Sequence, residues 1–159
     1  AMLNTDQLIV IGGSAGGHLT LMTGLRLDPE RVKAMVSVAG PADLLMRKQK
    51  EQMNQERLQH FFQIEGEVTD QMLKDASPIN YVTENAPPLL CVHSVNDKLV
   101  IPEQSKLIVE KYSELGLRGE IFTFDGPGEQ HGIWIEGSDP HKLFPNLEEA
   151  ITNFVKSLD

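Results

Sequence analysis

The stretch VIGGSAGGHLTLM, residues 10–22, constrains this chain more than any other. A continuous apolar run, Leu8 to Ile11, enters a knot of glycines around one serine. The chain leaves it with helical spacing at Leu19, Leu21 and Met22. An apolar run without alternation reads as a strand buried on both faces, so Leu8 to Ile11 is expected to be one. Two chemistries use a strand-to-helix turn of this kind. Backbone amides can cradle a phosphate, or a side chain can be held up to react. A phosphate loop would need a lysine after the glycines, and a dinucleotide turn starting at Gly12 would need a glycine at its third position, where Ser14 stands. Neither is present.

Gly12-Gly13-Ser14-Ala15-Gly16 does satisfy Gly-x-Ser-x-Gly, the turn called a nucleophile elbow. Such a turn strains the serine backbone and crowds the positions two before and two after it. Gly12 and Gly16 are therefore expected to lack room for a β-carbon. The helix that follows aims free amides at the reacting centre, so the Ala15 N–H is expected to help hold a developing oxyanion.

The remaining pattern alternates strands with helices. Val32 to Ala39 is expected to be a second strand, ended by Gly40-Pro41. Leu89 to His93 is a third, introduced by Pro87-Pro88, and Glu120 to Phe124 a fourth. Helices are expected from the glycine knot to about Leu27, from Ile101 to Gly116, and from Leu147 to Leu158. Residues 43–75 are polar and helical, with an apolar stripe of Met53, Leu58, Phe61 and Phe62, and read as an inserted pair of helices turning near 65–69. Alternation of this kind implies an α/β three-layer fold with a mostly parallel sheet and right-handed crossovers. Without a repeat or linker, residues 1–159 read as one domain.

A serine hydroxyl is a weak nucleophile until a histidine takes its proton and a carboxylate orients that histidine. The order expected after an elbow is serine, then acid, then histidine, each just past a strand's end. Asp97, in HSVNDKLVIP, follows the third strand, and His131, in FDGPGEQHGIW, follows the fourth. Ser14, Asp97 and His131 are thus the candidate catalytic set. His18 is expected to pack or cap in the first turn of the elbow helix, and His93 to satisfy backbone groups at its strand's end. His60 and His141 read as surface residues, and Cys91 as a buried core thiol. No histidine pair has metal-ligand spacing, so neither metal nor cofactor is expected.

The stretches GGSAGGHL, PPLLCVHSVNDKLVIPEQS and GPGEQHG together resemble the esterase and lipase superfamily of α/β-hydrolases. The likeness is strongest to bacterial esterases related to hormone-sensitive lipase, carbohydrate esterases and prolyl-oligopeptidase-like enzymes. It implies a serine esterase acting on short acyl esters, acetyl groups on carbohydrates among them, through Ser14, His131 and Asp97. Ser94 departs from the glycine usual after the histidine. The four expected strands match the second half of the fold, lacking its N-terminal strands. No His-Gly-Gly-Gly oxyanion loop is present. In this frame residues 43–75 stand where a cap is carried. Met2 behind Ala1 reads as a translation start preceded by a tag remnant.

An unpaired edge at Leu8 to Ile11 leads to the expectation of a homodimer or a complementing N-terminal fragment. Two alternatives accompany the esterase reading. One is a catalytically silent half-domain that folds by association, and the other a prolyl-oligopeptidase-like peptidase. A net charge of −9 argues against nucleic acid or an anionic membrane as partner. No apolar run approaches the roughly 18 residues of a membrane span. A single cysteine fits a reducing, cytoplasmic setting.

Overall fold

The computed structural model describes residues 7–27, 30–50, 53–125, 131 and 144–158. Among these, four strands form one parallel sheet in chain order: β1 (Leu8–Gly13), β2 (Val32–Val38), β3 (Leu89–Ser94) and β4 (Gly119–Phe124). Strand β1 runs into α1 (Ala15–Met22), whose last turns widen over Thr23–Leu27. Helix α5 (Glu103–Glu114) joins β3 to β4, and α6 (Pro145–Lys156) follows β4. Helix α5 ends as the sequence suggests: Gly116 takes a left-handed φ of 67°, which glycine adopts without penalty.

Strands laid down in chain order with crossovers of one hand place the connecting helices on one side. The two cores reflect that. Leu21, Leu25, Ile108 and Tyr112 pack on Met35, Leu89 and Cys91 from one face. Leu147, Ile151 and Phe154 of α6 pack on Ala34, Val36, Leu90, Val92 and Phe124 from the other.

Between β2 and β3 the described residues form three α-helices where a pair was expected: α2 (Leu44–Lys50), α3 (Gln55–Phe62) and α4 (Asp70–Asp75). The extra start is made by Asn54, whose side chain accepts from the Arg57 amide and caps α3. Leu44, Leu58, Val68 and Leu73 give the insertion a small core of its own. Gln104 of α5 ties it down, because its Oε1 accepts from the Ala42 and Asp43 amides, each at 2.8 Å.

Strand β1 corrects one expectation. Leu8 and Ile9 are each 37% exposed and Ile11 is 52% exposed, so the strand is not buried on both faces. It forms an edge of the described sheet. Ile9 and Ile11 pair with Ala34 and Val36 and so share the α6 face, but α6 covers the β2–β4 part of that face. Val10, on the opposite face, packs against the α1 and α5 core. The apolar run does form a strand, whereas its burial depends on neighbours that the run cannot specify.

Candidate active site

Ser14 sits between the last residue of β1 and the first of α1, with φ 55° and ψ −119°. That left-handed φ is costly for a residue with a β-carbon, and such strain collects at functional turns. The Ser14 amide donates to Val38 O at 2.8 Å, which anchors the turn to β2. The side chain makes no capping bond to its own helix. A merely structural cap therefore does not account for it.

The two glycines flanking the serine are not equivalent. A β-carbon on Gly12 would stand 2.3 Å from Gly16 O and 2.8 Å from Thr20 Oγ1, so the position is closed to any larger residue. A β-carbon on Gly16 would meet nothing within 4 Å, which corrects the expectation of crowding there. The tight position is Gly17, where a β-carbon would lie 2.8 Å from Gly40 Cα and 3.0 Å from Ser37 Oγ. Helix α1 touches the loop after β2 at that point, and no motif spacing flags it.

Asp97 follows β3 in a turn and is 3% exposed. Its Oδ1 accepts the Leu99 and Val100 amides, each at 2.9 Å. Its Oδ2 lies 2.9 Å from His131 Nδ1 and 3.3 Å from His93 Nε2. Burial alone would raise the Asp97 carboxyl. The bonds from His93, the Val100 amide and His131 outweigh it and hold the group below the usual carboxylate range. An ionised carboxylate only accepts, so His131 Nδ1 carries the ring proton. That leaves the Nε2 lone pair 2.7 Å from Ser14 Oγ, positioned to accept the hydroxyl hydrogen. Ser14, His131 and Asp97 thus form one hydrogen-bonded chain. They come from three loops at the C-terminal edge of the parallel sheet, the edge where open α/β sheets bind ligands.

Ala15 is the first residue of α1, so its amide belongs to the turn whose N–H groups lack intrahelical partners. His18, on the same helix, is buried, and its Nδ1 donates to Pro41 O at 3.2 Å. Burial and the Arg47 charge keep its pKa low against the opposing pull of that bond. His18 meets Phe61 of α3 edge to face at 6.2 Å between ring centres, so the insertion reaches the elbow helix. His60 is exposed, as expected, while His141 and residues 126–130 lie outside the described residues. Cys91 is a buried free thiol, and burial, only partly offset by a bond with Ser105, pushes its pKa up to about 12. Such a group is inert as a nucleophile. No three His, Cys, Asp or Glu side chains among the described residues group as metal ligands.

Residues 2–112 match the model of the BD-FAE family. The chain belongs to that family. BD-FAE membership fits the fold, which is that of the α/β-hydrolase superfamily. The truncated form of a carbohydrate esterase from gut microbiota superposes with a TM-score of 0.77 at 20% identity, over 98% of this chain and 61% of that one. The Pyrococcus horikoshii acylaminoacyl peptidase superposes at 0.73 and 24% identity, over 96% and 24%. In sequence, the BD-FAE chain is 31% identical to the Mycobacterium tuberculosis esterase LipC, over 79% of this chain and 34% of the relative. The chain spans about a third of the length of the curated relatives it matches. No helix among the described residues is long and apolar enough to cross a membrane.

Proposed function

We propose that this chain carries the catalytic centre of a carboxylic ester hydrolase working by acyl transfer. The observation that carries the reading is the unbroken path from Ser14 Oγ through His131 to Asp97, with bonds of 2.7 and 2.9 Å. Ser14 Oγ attacks the ester carbonyl carbon as His131 Nε2 takes its proton. Asp97 keeps the proton on Nδ1 and stabilises the imidazolium that forms. His131 then returns the proton to the departing alcohol oxygen, leaving an acyl-serine. Water, deprotonated in turn by His131, attacks that acyl group; the acyl–Oγ bond breaks to free the acid, and His131 returns the proton to Ser14 Oγ. The Ala15 amide, with the positive end of α1 behind it, is one donor to the tetrahedral oxyanion.

Short acyl esters, with acetyl groups on sugars foremost, are the substrates that the resemblance and the carbohydrate-esterase likeness favour. The three-helix insertion serves as the cap in this reading. It presents Phe61, 43% exposed, beside His18, and a cleft of about 660 Å³ is lined by Met53, Arg57, His60 and Phe61.

The test compares the protein with Ser14→Ala on p-nitrophenyl acetate. Hydrolysis by the parent, with a burst of p-nitrophenol and loss by orders of magnitude in the variant, is the expected outcome. Equal rates in both would refute the assignment and favour a silent domain. Peptide p-nitroanilides in the same assay separate an esterase from a peptidase sharing these residues.

A further inference from the structure

The residue next in line behind the acid is His93, near the end of β3, whose ring is fully buried. Its Nε2 lies 2.8 Å from Val100 O and 3.3 Å from Asp97 Oδ2. A carbonyl and a carboxylate oxygen only accept, so Nε2 carries a proton and is shared between them. Nδ1 then accepts the Ser105 hydroxyl hydrogen at 2.7 Å. Ser105 is itself 1% exposed, so this contact is shut off from solvent. Donation therefore runs one way, from Ser105 to His93 and into the oxygen that faces His131.

From this we infer that His93 is a positioning residue for the reaction, holding Asp97 and its turn in the place His131 requires. The inference rests on the proposed role of Ser14, His131 and Asp97. The turn after β3 has no regular structure to stiffen it, yet His93 grips it twice. It holds the Asp97 carboxylate directly and holds the carbonyl of Val100, whose amide binds the other carboxylate oxygen. Strand β3 lies between β2 and β4, so the ring transmits the rigidity of an interior strand to a loop. Without it Oδ2 keeps His131 as its remaining partner in this network, and the carboxylate can rotate away from the in-line geometry.

The experiment pairs His93→Leu, which keeps much of the volume and loses the N–H, with His93→Gln, whose amide can donate to the same oxygens. The expected result for His93→Leu is kcat down about 10- to 100-fold with KM within twofold, the range for losing a hydrogen bond to a charged group. His93→Gln is expected to recover most of the loss. Proton NMR of the parent should show a downfield resonance for the His131 Nδ1 proton, kept in the glutamine variant and broadened in the leucine variant. Folding of each is checked by circular dichroism. If His93→Leu does not fold, Ser105→Ala, which leaves the ring but releases its orientation, is expected to broaden the same resonance. A folded His93→Leu with kcat within twofold of the parent, or an unchanged resonance in the variant that folds, would overturn the inference. If the parent shows the resonance but cleaves no ester, the esterase reading fails and the resonance alone decides the role of His93.

Discussion

Replacing Asp97 by asparagine removes one charge and almost no volume, and the geometry shows where the damage falls. Four donors converge on two carboxylate oxygens, and an amide keeps only one of them. The Leu99 and Val100 amides are fixed by the turn, so the surviving oxygen must stay opposite them. The new NH2 group then faces His131 Nδ1. That nitrogen must become an acceptor, and the single proton of the neutral ring moves to Nε2. There it donates toward Ser14 Oγ, and the lone pair that would receive the serine proton is gone. Reversing the tautomer in this way costs on the order of 10⁴ in kcat, about 5 kcal/mol of barrier. The NH2 also meets His93 Nε2–H, donor to donor, at a cost of about 1–3 kcal/mol of stability. For a chain of 159 residues that lowers Tm by several degrees without unfolding the protein at 25 °C. Ester hydrolysis under saturating substrate measures the first effect, and thermal melting the second. A folded Asp97→Asn variant with kcat within tenfold of the parent would refute the reasoning, since no path would then run through the Nδ1 proton.

Three further outcomes are expected. Gly16→Ala should leave Tm and activity close to those of the parent, whereas Gly17→Ala should lose about 1–3 kcal/mol in denaturant melts, because its β-carbon meets the backbone of Gly40. Equal stability of the two variants would contradict the packing. Gln104→Ala strips the buried Ala42 amide and the half-buried Asp43 amide of their acceptor and should cost about 2–4 kcal/mol by denaturant titration. A loss below about 0.5 kcal/mol would mean that these amides find other partners. The apolar edge that Ile9 and Ile11 present in the described sheet should make these 159 residues associate as their concentration rises, by pairing with a second copy or a complementing fragment. Light scattering should show this diminished in Ile11→Lys, and a monomer at every concentration would remove the expectation.

The site was legible in the sequence to the extent that its chemistry is local. A glycine-bracketed serine after an apolar strand, an aspartate in the turn after another, and a histidine after a third are each readable within ten residues. Their meeting follows from parallel strands ending on one edge. What escaped was set by contacts between distant segments. The crowding at Gly17 is made by Gly40, and the exposure of Ile11 depends on what lies beside and across the strand. The separate start of α3 carried a readable signal, since Asn54 ahead of Gln55-Glu56-Arg57 is a cap. The polar composition around it masked the break. His93 was expected to satisfy backbone groups, and it does bind the Val100 carbonyl. Its hold on Asp97, four residues on, depends on a turn whose shape no periodicity encodes.

The serine and the imidazole that face one another at 2.7 Å are 117 residues apart in the chain. Between them lie β2, β3, β4 and the whole insertion, so every ångström of that gap is set by the tertiary fold. Turnover is thus a gauge of long-range order. As the protein is heated or titrated with urea, catalysis should vanish with the first loosening of the turn that holds Ser14 or the stretch that holds His131, ahead of any change in helix content.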